Sequence, residues 1–296
     1  MSLHRKKTRI SWLDGVIALA FLGAGVYLYY RVRAGLHYHW EWEAIPQYLL
    51  RYDAEKGRWV ANILMQGLFT TIRLSVWSMV LATLIGILMG LFRVSRSVFR
   101  RLLSGTYVEL IRNLPPLVLI FIFYFFVSSQ IMPALGVDDC VTRCSEPIKA
   151  VLTFLFAPPT LFSAFLSALV TLALFEGAYI TEIVRGGIES IETSQWEASA
   201  ALGLTRSQQL RTVILPQAVR RILPPLAGQL ISTVKDSAIV SAISIQELTF
   251  QGLELMSATY LTFEIWITVT ALYLLLTLGL SLGVERLEIR MQRSEA

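Results

Sequence analysis

The sequence predicts an all-α integral membrane protein with about six transmembrane helices. Of its 296 residues, 55% are hydrophobic and only 16% are charged, which is too apolar for an ordinary soluble domain. A helix that spans a bilayer needs about 20 mainly apolar residues. Six stretches of roughly that length follow one another, at about residues 10–30, 68–92, 107–131, 161–183, 223–245 and 263–284.

The distribution of lysine and arginine predicts how these stretches are oriented. Basic residues close to the ends of transmembrane helices are retained in the cytosol. If the N-terminus is cytosolic, sixteen of the 26 lysines and arginines lie in cytosolic segments and seven lie outside. Both termini are therefore predicted to be cytosolic. The same bias explains the net charge of +5, so we expect no nucleic-acid partner.

The first apolar stretch follows a basic run at residues 4–9, a combination that also occurs in signal peptides. Its length favours a retained anchor, and its Ala-x-Ala pattern at 18–20 lies inside the stretch instead of after it. The polar loop at 31–61 is rich in tryptophan, and we expect it to lie along the external membrane–water interface.

Cys140 and Cys144 lie in the loop between the third and fourth stretches, which this topology places outside. An oxidising compartment would allow a disulfide between them, and their spacing could close a small ring. Free thiols are the first alternative. Two ligands of a metal site are a weaker alternative, because no histidine lies nearby. We therefore predict no metal site.

Polar residues at the start of two stretches are candidates for a buried site. We expect Thr70 to pack against a neighbouring helix. We expect the Arg73 side chain either to pair with another polar group or to extend to the membrane surface. Pro115 opens the third stretch, and any helix must restart or bend there because proline lacks a backbone N–H and clashes with the preceding turn. Irregular backbone at that depth is tolerated only against protein or water, so Arg112 and Asn113 are expected to face a partner or a cavity.

Charged residues inside the fourth and fifth stretches require partners. A carboxylate at the centre of a membrane helix costs about 2.5–3.5 kcal/mol on insertion scales. Glu182 could offset that cost by pairing with Arg185 or by contacting substrate, and for Glu176 a structural role is slightly favoured. Lys235 and Asp236 are adjacent and point in different directions, so pairing with other helices is at least as good an interpretation as ligand contact.

A polar segment at 194–216 joins these two stretches. Residues 194–197 and 205–208 have the patterns of capping boxes, Gly203 suits a left-handed helix end, and Pro216 cannot continue the second helix without a break. We therefore predict two short helices with a glycine bend, which must dock on a partner because each is too short to be stable alone. DNA recognition is disfavoured, since membrane stretches tether both ends.

Part of this segment resembles the EAA motif of permeases of ATP-binding cassette (ABC) importers. The resemblance lies in 197–199, Gly203 and 213–216, where Ser199 and Val213 replace the usual alanine and isoleucine conservatively. The wider sequence is similar to the branch for polar amino acids, which carries histidine, arginine, glutamine, glutamate and opines. The similar runs are 111–113 with 115–116, 178–179 with 182 and 185–188, 215–218 with 220, 223–226, and 235–237.

The resemblance extends from about residue 62 to the C-terminus and implies a MetI-like core of five helices. The first apolar stretch adds a sixth, so the implied domains are 1–61, with the N-terminus, first helix and external loop, and a permease domain at 62–296. A cytosolic coupling hairpin is implied at about 186–221.

The function that the resemblance implies is the transmembrane subunit of an ATP-driven importer for polar amino acids in the bacterial inner membrane. The sequence has no G-x-x-x-x-G-K-[ST] phosphate loop, so we expect no enzyme activity and no cofactor here; ATP and Mg²⁺ would be bound by a partner. The implied partners are a second permease chain, identical or homologous, two cytosolic ATPase subunits and an external solute-binding protein. The implied ATPase-coupling residues are Glu197, Ala198, Ser199, Gly203, Leu215 and Pro216.

An amino acid is a zwitterion, so its binding site needs both signs of charge. Glu182 could face an ammonium or guanidinium group, and Arg112 or the amides of the helix that starts at Pro115 could face a carboxylate. The residues assigned to substrate contact are Glu182, Arg112, Asn113, Thr70, Lys235 and Asp236.

Two other classes of function compete with this interpretation. An ion channel or an ion-coupled secondary transporter would also use buried charges and broken helices, and it would need no ATPase. We find no internal repeat of the kind that many such transporters show. An intramembrane enzyme is disfavoured because the three histidines, His4, His37 and His39, all lie near the N-terminus.

Overall fold

The computed structural model describes residues 12–35, 38–55 and 57–293, and the chain divides into two units between residues 42 and 43. The first unit contains helix α1 (Trp12–Gly35), whose apolar part has no residue buried within the structure. Trp40 and Trp42 follow, with their rings stacked at 5.9 Å between centroids. The basic run at 4–9 lies outside the described residues.

The described residues of the second unit are helical except for two short strands and the connecting turns. Its two π-helical turns cover Val127–Ile131 and Gln209–Ile214, and 3₁₀ turns cover Pro159–Leu161 and Ser237–Ile243. The other elements are α2 (Ile45–Leu49), β1 (Leu50–Asp53), β2 (Arg58–Ala61), α3 (Ile63–Arg93), α4 (Val98–Asn113), α5 (Pro116–Phe126), α6 (Met132–Ala134), α7 (Val137–Thr142), α8 (Glu146–Leu155), α9 (Phe162–Glu189), α10 (Thr193–Ala201), α11 (Arg206–Gln208), α12 (Leu215–Asp236), α13 (Leu248–Thr259) and α14 (Thr262–Arg293).

Five helices in the described part of the chain are long and apolar enough to cross a membrane. They are Trp12–Arg31, Ile63–Arg93, Pro116–Ala134, Pro159–Glu189 and Thr262–Arg286. The prediction of an all-α membrane protein with five to six apolar helices is confirmed. The predicted stretch at 223–245 falls on α12 and the 3₁₀ turn after it. α12 is not among the five, and charged residues lie within it at Arg220, Arg221, Lys235 and Asp236.

The third membrane helix begins later than predicted. The chain breaks at Leu114 and Pro115, whose backbone is extended, so α4 ends at Asn113 and α5 begins at Pro116. The predicted start of this stretch at residue 107 is therefore wrong, whereas the predicted restart at Pro115 is confirmed. Apolar composition alone did not separate α4 from α5; the proline did.

The loop at 31–61 contains an antiparallel pair of strands that the sequence analysis did not predict. Tyr52 of β1 lies opposite Trp59 of β2, with their ring centroids 5.7 Å apart. Each strand has four residues, too few for the alternation of apolar and polar residues to be recognised.

Helices α3 and α9 run side by side in the same direction at the centre of the second unit. Gly86 and Gly90 of α3 have no side chain, and Ile180 and Val184 of α9 occupy the space that a Cβ atom would need. Buried apolar clusters join this pair to α4 and α5, to α10 and α12, and to α13 and α14.

A fully buried carboxylate joins α3, α13 and α14. Glu247 caps α13, where its side chain accepts a hydrogen bond from the backbone N–H of Phe250 at 2.8 Å. Its other oxygen accepts from the Tyr273 hydroxyl at 2.7 Å and from the Thr71 hydroxyl at 3.3 Å. One carboxyl group thus accepts hydrogen bonds from all three donors. The junction of α3, α13 and α14 should therefore lose stability when a donor is removed.

We expect Tyr273→Phe to lower the stability of this junction by about 1–3 kcal/mol, because it removes the shortest hydrogen bond of a buried oxygen of Glu247. Thermal unfolding of the purified protein in detergent would report the loss as a lower midpoint. Thr277→Val is the matched control, since that hydroxyl bonds only to carbonyls of its own helix. Equal midpoints for Tyr273→Phe and wild type would contradict the role given to Glu247.

Candidate functional site

The six residues assigned to substrate contact lie in three separate places. Arg112, Asn113 and Glu182 come together where α3, α4 and α9 meet. Thr70 lies at the N-terminal end of α3, and the adjacent residues at 235–236 end α12. The structure thus joins three of the six in one site.

The first place is a pocket of about 190 Å³, here called the charged pocket. Its charged lining consists of two arginines, Arg93 and Arg112, and two carboxylates, Glu109 and Glu182. Val108 and Asn113 complete the lining. Both signs of charge therefore face one small space, as a zwitterionic ligand requires.

Each carboxylate oxygen of Glu182 faces an arginine, and only Oε2 is hydrogen-bonded. Its Oε2 accepts hydrogen bonds from Arg185 at 2.7 and 2.9 Å, so the pair that the sequence offered as one alternative is present. Oε1 is buried without a hydrogen bond and lies 3.6 Å from Nε of Arg93. An ammonium group in the charged pocket could donate a hydrogen bond to Oε1, which the ion pair with Arg93 leaves unfilled.

The last turn of α4 supplies the opposite wall of the charged pocket. The Arg112 guanidinium lies 5.5 Å from the centre of the Tyr179 ring, and the Asn113 amide donates to Glu109 at 2.7 Å. Because Pro115 prevents the helix from continuing, this wall ends beside the N-terminus of α5.

A second cavity of about 200 Å³ lies between the N-terminal ends of α3 and α9. Thr70 and Arg73 line it, and Arg73 donates to the Thr70 hydroxyl at 3.3 Å and to the carbonyl of Thr153 at 2.6 Å. Arg73 is therefore paired, which was one of the two predicted states. Gln251 also lines the cavity, 7% exposed and with Oε1 unbonded. Gln251 was not predicted as a site residue, because a single glutamine in a helix forms no sequence pattern that would indicate a site.

The third place is a contact between α9 and α12. Glu176 is fully buried, and its Oε2 accepts a hydrogen bond from Gln229 at 2.6 Å. Asp236 is half-buried and close enough to interact with Glu176, whereas Lys235 is exposed. The two neighbours thus point in different directions, as predicted, and Glu176 has the structural partner that the sequence analysis favoured.

A hairpin of α10 and α11 connects α9 to α12. Gly203 lies at its bend with φ of +76°, the left-handed conformation predicted for it. The capping box at 205–208 is also confirmed, since the Thr205 N–H donates to the Gln208 side chain at 2.8 Å. The chain therefore reverses direction where the sequence indicated.

One prediction about the hairpin is wrong, and a second is met in an unexpected form. Ser194 does not cap α10, which begins at Thr193 after the extended residue Glu192; the Ser194 hydroxyl instead donates to Glu192 at 3.2 Å. The break predicted at Pro216 is a π-helical turn, through which the second helix continues into α12. The π-helical turn before Pro216 widens the backbone, which accommodates the proline ring that would otherwise clash four residues back.

The inner face of the hairpin packs on α9 and α12. Trp196 of α10 lies beneath the Arg206 guanidinium, 3.5 Å from the ring centre, and this contact ties α10 to α11. Burial and the positive charge of Arg96 lower the pKa of Arg206. The buried cluster below contains Ile188, Ile191, Ile214, Ala218 and Ile222. The hairpin should therefore move together with the two long helices.

The outer face of the hairpin is open. Glu197 and Ala198 are exposed, and Leu202 is 79% exposed, whereas Ser199 is buried and bonds to the carbonyl of Trp196 at 2.9 Å. Leu202 was not predicted as a residue of this exposed face, because a leucine is ordinarily assigned to the hydrophobic core. Of the two remaining coupling residues, Leu215 is half-buried and Pro216 is exposed.

Cys140 and Cys144 are both free thiols in the structure, and the Cys144 thiol donates to the carbonyl of Cys140 at 3.2 Å. Cys140 is exposed. A disulfide in an oxidising compartment stays a prediction.

Sequence comparison relates the chain to transport proteins. Residues 82–293 match the family described as binding-protein-dependent transport system inner membrane component. The glutamine transport system permease protein GlnP of Escherichia coli is 34% identical, over 78% of this chain and 93% of that protein. The probable glutamine ABC transporter permease protein GlnM of Bacillus subtilis is 32% identical, over 79% and 95%.

Structural comparison leads to the same group of proteins. A crystal structure of an amino acid ABC transporter with histidines matches with a TM-score of 0.61 at 31% identity, over 77% of this chain and 94% of that one. An inward-facing structure of the MetNI methionine ABC transporter matches with a TM-score of 0.57 at 20% identity, which shows a shared fold.

Proposed function

Because this chain belongs to the family of binding-protein-dependent transport system inner membrane components, we propose that it is the permease subunit of an ATP-driven importer for polar amino acids. The observation that carries this proposal is the hairpin of α10 and α11, which is fixed on one side to α9 and α12 and open on the other. The relatives named for glutamine, and the solved transporter with histidines, support a polar amino acid as the cargo.

The open face of the hairpin is suited to dock into a groove of a separate ATPase, which would bind ATP and Mg²⁺. Leu202 would enter the groove, with Glu197 and Ala198 beside it. Because the inner face is packed on α9 and α12, closure of the ATPase pair would move both helices. We assign two such ATPase subunits, a second permease chain, identical or homologous, and an external solute-binding protein to the assembly.

We place the hairpin on the cytosolic side of a bacterial inner membrane, with both termini on that side. The arginines near the hairpin and in the turn between α3 and α4 support this orientation. The permease domain is assigned to 62–296 with the coupling hairpin at about 186–221, and residues 1–61 are assigned as an addition to it.

The charged pocket is the substrate site that we propose. An ammonium or guanidinium group would lie against Oε1 of Glu182, and a carboxylate would lie against Arg112 and the amides at the start of α5, since helix N-termini favour anions. The cavity at Thr70 and Gln251 lies near the other end of α9, so the same solute would bind there before it reaches the charged pocket. Its unbonded glutamine oxygen could accept a hydrogen bond from an ammonium group.

Purification of the tagged chain from its native membrane tests the proposal. We expect a soluble ATPase to co-purify, and proteoliposomes that contain this complex and the binding protein to accumulate a labelled polar amino acid only when ATP is hydrolysed. A non-hydrolysable ATP analogue is the control. Uptake by the chain alone, driven by an ion gradient, would instead establish a secondary transporter.

A further inference from the structure

Two adjacent cavities lie at the turn between α3 and α4, next to the hairpin. The first has a volume of about 400 Å³ and lies between this turn and α10. The second, of about 490 Å³, runs along α4. Arg93 and Arg101 line both cavities, so these two side chains lie where the cavities adjoin.

The positive charge in the first cavity is not neutralised within the described part of the chain. Arg101 and Arg206 line it, and no carboxylate there lies within ion-pair distance of either. Glu189 also lines it, but its carboxylate is bonded to Arg185. Burial lowers the pKa of Arg206 most, and the nearby positive charge of Arg96 lowers it further. An anion would therefore be stabilised here.

The second cavity is an apolar groove. Leu102 and Leu110 line it and are 63% and 55% exposed, while the Arg93 guanidinium covers Gly105 between them and forms part of the floor. Glu109 is the acid of this groove and accepts a hydrogen bond from Asn113. An exposed apolar surface beside unpaired arginines matches the boundary of a membrane, where acyl chains meet charged headgroups.

We propose that the two cavities bind one anionic phospholipid. Its phosphate would lie against Arg101 and Arg206, and an acyl chain would lie along the groove of α4. A lipid in this position would touch both the turn between α3 and α4 and the start of α10, because Ser95 and Thr193 also line the first cavity. It would thereby hold the hairpin against the core, and this consequence for coupling rests on the proposed function.

Native mass spectrometry of the delipidated full-length chain tests the binding itself, without an ATPase. We expect wild type to retain added phosphatidylglycerol and not phosphatidylcholine, and Arg101→Gln to reduce the phosphatidylglycerol adduct at least several-fold. Arg100→Gln is the matched control: it removes the same charge one residue away, where the guanidinium lies over Phe92 at 5.7 Å and lines neither cavity. Its adduct should equal that of wild type.

A second variant, Thr106→Trp, fills the groove and leaves the arginines unchanged. It should also reduce the phosphatidylglycerol adduct, and size-exclusion chromatography should show that each variant is folded. Equal losses in Arg100→Gln and Arg101→Gln, or equal retention of both lipids by wild type, would overturn the proposal. So would an adduct of soluble glycerol phosphate as abundant as that of the lipid, which would indicate a phosphate site. Variants that retain the lipid but lose the ATPase would show that this surface contacts a protein instead.

Discussion

Replacing Gly203 with valine is expected to lower ATP-driven uptake by about 5- to 30-fold, while the chain still inserts and folds. A left-handed conformation costs an ordinary residue about 1–2 kcal/mol, and Gly203 holds φ at +76°. No atom lies within 4 Å of the position that a Cβ would take, so the cost comes from the backbone alone. The bend would therefore be populated less, and the outer face of α10 would be presented incorrectly to the ATPase.

Gly203→Asn is the matched control, because asparagine tolerates the left-handed conformation better than other residues with a side chain. We expect it to retain most of the uptake. Both variants should be extracted from membranes like wild type and have the same thermal midpoint. Full transport by the valine variant would show that this bend does not transmit motion.

Replacing Glu182 with glutamine is expected to weaken transport of a cationic or zwitterionic amino acid by about 10- to 100-fold, since a hydrogen bond to a charged group contributes about 1.5–3 kcal/mol. Oε1 of Glu182 is buried without a hydrogen bond and lies 3.6 Å from Nε of Arg93. Glutamine keeps the shape of the side chain and removes its charge. Initial rates of uptake in proteoliposomes, measured over a range of loaded binding protein, would report the effect.

Glu189→Gln separates a substrate role from a structural one. Both Glu182 and Glu189 bond to Arg185, but only Glu182 lines the charged pocket. We expect Glu189→Gln to transport like wild type. Equal losses in the two variants would assign Glu182 to holding Arg185, and unchanged uptake of every polar amino acid in Glu182→Gln would remove it from the site.

The hairpin illustrates which local features could be predicted. The box at 205–208 and the left-handed Gly203 were predicted correctly, because both depend on a few neighbouring residues. Ser194 was predicted wrongly as a cap, and the form of the break before Pro216 was not predicted, since both depend on how the segment packs against α9 and α12. Local chemistry permitted several helix ends there, and packing selected one.

The charged pocket illustrates the same division at a longer range. Arg112, Asn113 and Glu182 were each singled out as polar groups that lipid would not tolerate. Nothing in their spacing showed that these three would share one pocket while Lys235 and Asp236 would lie elsewhere. That grouping depends on the close approach of α3 and α9 at Gly86 and Gly90 and on the packing of α4 against both.

By itself, the sequence determined the membrane class, most of the apolar helices, the break at Pro115 and the bend at Gly203. Each of these follows from composition or from the conformational limits of one or two residues. The tertiary structure decided which polar groups meet, which face of the hairpin is open, and that a fully buried Glu247 holds three helices together. Such contacts join residues far apart in the chain, and only the packing of whole helices brings them within hydrogen-bond distance.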